Sequence, residues 1–196
     1  MHENEIIQQD KTEMIKQIRD YLEEVRMPAL RKKLLELYGD IEEKLKKNPA
    51  SIKYHHNYPS GLYVHTLEVM RFALELFEMY KDKMTRYFTR DDVILISFIH
   101  DLEKVTKYRK NKSQNAGISE PYFEYNYSKL DMSDAAEVVN MIGKYGICLT
   151  DIQLNGICLH MGGWSKERGK LSELAALMHI ADLMSVNFGQ NRQNGG

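Results

Sequence analysis

The chain has 196 residues, and its 27 basic and 28 acidic side chains nearly cancel, which excludes a whole-protein field that would draw in nucleic acid or membrane. Any such attraction has to come from a local patch. The two cysteines, Cys148 and Cys158, sit in apolar segments and exclude both a disulfide framework and a CxxC zinc site, so the cytoplasm is the simplest reading. The opening residues MHENEIIQQDKTEM are charged and lack an apolar h-region, and the longest apolar run, Val93 to Ile99, is far shorter than a membrane span. A soluble, non-exported protein with one core is expected.

In chain order, residues 10–26 are charged and amphipathic, and Pro28 suits the first turn of a second helix that Asn48-Pro49 should stop. Leu62, His65, Val69, Phe72, Leu76 and Tyr80 step by three or four, one face of a helix with His65 inside its apolar stripe. Thr89-Arg-Asp-Asp92 resembles a capping box, opening a helix whose body VILISFI is apolar all round and should cross the core. Residues 106–130 read as a long loop that can hold a short hairpin. Helices follow over 133–144, from the Thr150-x-x-Gln153 box, and over 172–188, and the tail GQNRQNGG reads as disordered. No strand series is regular enough for a large sheet.

Several polar side chains fall where the core should be. Asp101 ends an apolar run after His100, and a carboxylate buried there is costly unless paired, protonated or bound to a cation. Leu171, Leu174, Ala175, Met178, Ala181 and Asp182 share one stripe, so a second carboxylate points inward, and His160 ends the turn GICLH ahead of Gly162-Gly163. Four helices therefore each deliver a His or Asp inward. Imidazoles with carboxylates and no thiolate suit Mn, Fe, Zn or Ni, and a helical bundle is a common scaffold for such a site. His179 and His2, taken singly, read as ordinary core histidines.

Ahead of these residues, Pro49-Ala50, His55-His56, Tyr58, Gly61-Leu62 and His65-Thr66 follow the order PAxxxxHHxYxxGLxxHT. With His100-Asp101 and Asp182 behind it, this pattern resembles the HD-domain superfamily of metal-dependent phosphohydrolases, and most closely the HD modules of 3'-to-5' exoribonucleases and related plasmid proteins. The resemblance implies an all-α HD-domain helical bundle over residues 49–188, with residues 1–48 as an amino-terminal helical arm on the core, a long loop insertion and a disordered tail over 189–196. It implies that His65, His100, Asp101 and Asp182 hold a divalent ion, with His55 and His56 beside it as supporting or substrate-contacting groups. His160 and Asp131 stand near positions where two-metal relatives carry further histidines. An acidic residue in the place of Asp131, just before a helix, is more often a cap or dipole partner than a ligand. One ion or two, and Mn, Fe, Ni, Zn or Mg, stay open. The chain departs from the relatives' HD-x-GK in reading HDLEK, where Glu103 is expected to pair with Lys107.

The activity so implied is hydrolysis of a phosphomonoester or phosphodiester by ion-activated water, with Asp101 as the bridge if two ions bind. Asp101, Lys104 and His56 are the catalytic candidates, and His55, His56, Lys104, Lys107 and Arg109 the substrate-binding ones. The basic run from Lys104 to Lys112, with Tyr122, Phe123, Tyr125 and Tyr127, suits the phosphates and bases of a nucleotide or short single strand, and equally a solvated loop packed on the bundle. Trp164, with Lys166, Arg168 and Lys170, reads as an opposite rim or as a cover for the core. The expected partner is a phosphorylated small molecule or short single-stranded nucleic acid, without a membrane, and a homo-oligomer stays open. Two other readings remain: a di-iron oxygenase of the same superfamily, and a non-catalytic, metal-containing regulatory protein.

Overall fold

A computed structural model of the chain describes residues 16–84, 87–112, 122–127, 132–165 and 167–189. His2 and Asp131, and the tail beyond Gly189, lie outside them. Helix α1 spans Ile18–Glu23 and α2 Pro28–Leu45, with Pro28 in the first turn, where its missing N–H costs nothing. The first helix is shorter at its carboxyl end than the amphipathic pattern suggests. The reason is a turn at 24–27, whose Arg26 and Met27 amides both donate to the Asp91 carboxylate at 3.0 Å. Helix α2 ends three residues before Asn48. The Asn48 amide instead donates to the carbonyls of Lys104 and Val105, tying this loop to the segment after the HD pair.

The long helices follow their apolar spacing. Helix α3 (Gly61–Tyr80) packs most extensively on α8 (Glu173–Phe188) and on α4 (Arg90–Ile99), and in α4 every residue from Val93 to Ile99 is buried. Helix α5 is one turn (Lys104–Lys107) and runs into an antiparallel pair, β1 (Tyr108–Lys110) and β2 (Phe123–Tyr125), which is the hairpin of the expected long loop. Helix α6 (Asp134–Gly143) and α7 (Asp151–Leu159) then lead through a 3-10 turn at Gly162–Trp164 to α8. No helix among the described residues is long and apolar enough to cross a membrane. The fold is all-α apart from the hairpin.

Four of the starts are capped as the sequence predicts. Ser133 and Ser172 accept the Ala136 and Ala175 amides, and Thr89 and Thr150 form capping boxes with Asp92 and Gln153. Those two boxes are joined, since the Gln153 amide donates to Asp92, so α4 and α7 begin side by side. Ile18, Leu22, Leu34, Leu37, Tyr38 and Leu45 of the expected arm belong to the same buried cluster as Leu62, Val69, Ile94 and Met178. At the ends of the stripes the pattern overshoots: Leu171 and Tyr80 are exposed. Trp164 is 83% exposed and covers no core.

Asp91 joins the α1–α2 turn to the start of α4 through two backbone amides. Asp91→Ala is expected to cost about 1–2 kcal/mol, read as a lower urea midpoint with native helix content in its absence.

Candidate metal centre

Two helix ends present imidazoles in the same way. His100 and His160 are the residues at which α4 and α7 stop, and each folds back so that Nδ1–H donates to the carbonyl three residues earlier, Ser97 at 2.8 Å and Ile157 at 2.7 Å. Each bond satisfies one of the carbonyls a helix end leaves unpaired. It also fixes the tautomer, leaving Nε2 as a lone pair directed away from the helix.

His65, in the second turn of α3, is oriented from behind as well. Its Nδ1 lies 2.9 Å from Ser185 Oγ, and Ser185 in turn donates to Glu68 Oε2 at 2.8 Å. His65 therefore donates from Nδ1, and its Nε2 faces His100 Nε2 at 3.2 Å, Asp101 Oδ2 at 3.2 Å and Asp182 Oδ1 at 3.2 Å. His100 Nε2 is 3.5 Å from the same Asp101 oxygen, and His160 Nε2 is 3.9 Å from its other oxygen. Two imidazole lone pairs facing each other in the core require a positive charge between them. Burial alone would push His65 down, but its bonds to Asp101 and Asp182 hold it up at about 9, while burial takes His100 down to about 4. Despite burial, Lys104 and the imidazoles keep Asp101 well below the usual carboxylate range, and His65 and His100 do the same for Asp182. His65, His100 and Asp182 bring their donor atoms within 4.8 Å of one another, with Asp101 against both imidazoles. Nitrogen and carboxylate donors of this kind fit a divalent ion such as Mn, Fe, Ni or Zn.

His55 and His56 lie on the turn before α3, and their rings sit 5.0 and 5.4 Å from the His65 ring. His56 is buried, and its Nε2 donates to Glu68 Oε2 at 3.1 Å. His55 is pushed down to about 3 by burial, with His65 and Lys104 adding. The turn is tight, with His56 at φ 51° and Ser60 at φ 70°, and Gly61 is required because a Cβ there would lie 2.0 Å from the His56 carbonyl oxygen. Nothing but hydrogen fits at that position.

Lys104 is half-buried, and its ammonium lies 2.5 Å from Asp101 Oδ2. Lys107 and Arg109 stand apart from the cluster, Lys107 paired with Asp134 at 2.8 Å and Arg109 with Glu124 across the hairpin at 2.8 Å. Of Tyr122, Phe123, Tyr125 and Tyr127 only Phe123 is buried, while Tyr127 is 81% exposed. His179 is half-buried and donates to the His160 carbonyl at 2.7 Å, outside the donor groups.

Sequence reasoning missed three residues. Glu68 and Ser185 lie three residues beyond His65 and Asp182, on the same helical faces, and polar residues one turn from an expected ligand were the available signal. Glu103 pairs with Lys107 as expected, but its burial was not foreseen. It is 1% exposed, Lys107 is 3.8 Å away, and one of its oxygens has no hydrogen-bond partner among the described residues. Burial, followed by Asp101, raises its carboxyl to about 8.

Residues 62–187 match the HD domain family, a span that runs from just before His65 to just beyond Ser185. The chain belongs to the HD domain family. Among curated relatives, a dihydroneopterin 2',3'-cyclic phosphate phosphodiesterase of Methanocaldococcus jannaschii is 27% identical over 123 residues, covering 58% of this chain and 48% of the relative. The 3'-5' exoribonuclease YhaM of Oceanobacillus iheyensis is 22% identical over 190 residues, covering 91% of this chain and 55% of the relative. YhaM of Listeria innocua is 23% identical over 181 residues, covering 91% and 55%. The chain thus spans about half the length of the curated relatives it matches. No solved structure matches it significantly.

Two outcomes test this HD site. Gly61→Ala is expected to push the His55–His56 turn off its seat, lowering stability by about 2 kcal/mol or more and reducing bound metal, measured by thermal melting and elemental analysis. For Glu103, the folded value near 8 lies above the 4.5 of an ordinary glutamate, so the folded chain keeps a proton that the unfolded chain loses. Stability then falls as pH rises between those values. Metal-stripped Glu103→Gln should melt with the parent at pH 4.5 and be more stable by roughly 1–3 kcal/mol at pH 8.

Proposed function

We propose that this HD domain is a metal-dependent phosphohydrolase acting on a phosphoester of a nucleotide or short oligonucleotide. The observation that carries the reading is the convergence of His65, His100, Asp101 and Asp182, with both imidazoles locked in the tautomer that presents Nε2. These four would hold the ion, with His160 at its edge. Asp131 keeps its proposed place as a further ligand from the sequence pattern alone. A divalent cation bound there lowers the pKa of water and polarises a phosphoryl oxygen.

The chain's own groups do the rest. Asp101 faces the imidazoles with one oxygen and His160 with the other, which suits it to orient water as well as metal. Lys104, held against Asp101 on the same edge, is placed to share its ammonium with a phosphate and so stabilise the charge that grows on the phosphoryl oxygens. Lys107 and Arg109, engaged with Asp134 and Glu124, would serve only as outlying attractors of phosphate. The relatives are named for a cyclic phosphodiester and for RNA, so a phosphodiester linked to a ribose-like group is the substrate class favoured first. We assign residues 49–188 to the HD domain and the preceding residues to its arm.

The test begins with metal analysis of protein purified without added ions. Hydrolysis of bis-p-nitrophenyl phosphate, 2',3'-cyclic nucleotides and short RNA oligonucleotides then follows, with each metal restored. Asp101→Ala is expected to lose both ion and turnover. Lys104→Ala should keep its ion and lose about 1–3 kcal/mol of transition-state stabilisation, read as kcat/KM. Turnover by Asp101→Ala, or no turnover of any phosphoester by the metal-loaded parent, would overturn the reading.

A further inference from the structure

The donors around His65 fall into two groups rather than one. His65, His100 and Asp182 are mutually within 4.8 Å, and so are His55, His56 and His65, with His65 common to both. A single imidazole cannot serve two ions here, because His65 Nδ1 is committed to Ser185 and only Nε2 is free to ligate. The second group therefore rests on His55 and His56, and their chemistry is that of unfilled ligands. His55 Nε2 and His56 Nδ1 are both buried and have no hydrogen-bond partner among the described residues. Leaving a buried polar atom unpaired costs about 1–3 kcal/mol, and two such atoms from adjacent residues need an explanation.

The surroundings indicate what they are kept for. Glu68 accepts the His56 Nε2–H, which fixes the tautomer in which Nδ1 carries the lone pair, and a carboxylate behind a histidine in this way is the usual partner of a metal-bound imidazole. His56 adopts φ 51° against the preference of its side chain, and the Ala50 amide holds its carbonyl at 3.1 Å. The strained turn aims both rings inward at His65 instead of at solvent. Glu68 behind His56 supplies negative charge beside the position.

We propose that His55 Nε2 and His56 Nδ1 ligate a second divalent transition-metal ion, next to the one held by His65, His100, Asp101 and Asp182, with water and substrate phosphate oxygens completing its shell. The inference rests on the reading of those four residues as a metal centre. It moves the second ion to the His55–His56 flank of His65 and away from His160.

The full chain, stripped and reconstituted with Mn²⁺, is assayed by equilibrium dialysis with elemental analysis beside His55→Asn/His56→Asn and His160→Ala, each checked by circular dichroism. Two ions per chain are expected in the parent and in His160→Ala, and one in the double variant. The parent alone gives a second readout that needs no variant to fold: the second equivalent of Mn²⁺ should convert an isolated-ion EPR signal into a spin-coupled one, as for ions about 4 Å apart. A parent that binds one ion, two ions without coupling, or a double variant that still binds two overturns the proposal and leaves the first site standing. A parent that binds none overturns the metal-centre reading itself.

Discussion

Two imidazole nitrogens, His65 Nε2 and His100 Nε2, are held 3.2 Å apart with their other nitrogens already committed to Ser185 and to the Ser97 carbonyl. Everything around them answers to that constraint. Facing lone pairs in a buried site repel unless a cation or a proton lies between them, and Asp101 and Asp182 add negative charge on the same side. The carboxyl ends of α4 and α7 add the partial negative charge of their unpaired carbonyls. A site built this way selects for positive charge whatever its other properties. Lys104 against Asp101 shows the same demand in the protein's own side chains.

The supporting groups are fewer than the ligands and serve more than one of them. Glu68 Oε2 accepts from His56 directly and from Ser185, which itself receives His65, so one carboxylate sets the orientation of imidazoles from the turn and from α3. Removing Glu68 would release both rings at once, which makes it a positioning residue of wider reach than any single ligand. Glu103 is the opposite case, a buried carboxyl with one oxygen left without a described partner. Its raised carboxyl makes it a proton-holding group beside Asp101.

The sequence made the longer helices legible because they are marked by their own apolar period and, in four cases, by a capping residue at the start. The gathering of His65, His100, Asp101, His160 and Asp182 was legible too, since each lies at a core-facing position where an unpaired polar group would be costly. What was not legible shares a cause. The pairing of Lys107 with Asp134 and of Arg109 with Glu124 is set by the hairpin and the following helix, contacts across tens of residues that periodicity does not report. Leu171 continues the α8 stripe in sequence yet precedes the helix, so its spacing has no helical meaning. Ser185 and Glu68 were within reach, one turn beyond recognised ligands, but a serine in a helix carries little signal until its partner is known.

The joined caps of α4 and α7 bear on how the site tolerates change in length. The two helices begin together at Asp92 and Gln153 and end together at His100 and His160, whose rings lie 5.3 Å apart. Ten residues in α4 and nine in α7 make them parallel struts of roughly 15 and 14 Å, matched to within one residue. One added or deleted residue in either strut would advance its terminal imidazole by about 1.5 Å and turn it by about 100°. Side-chain substitutions along the struts leave that measure intact, whereas an insertion or deletion inside one breaks it. The spacing between cap and histidine is thus a dimension of the site, a constraint on length that stands beside the packing constraint on the helices' buried side chains.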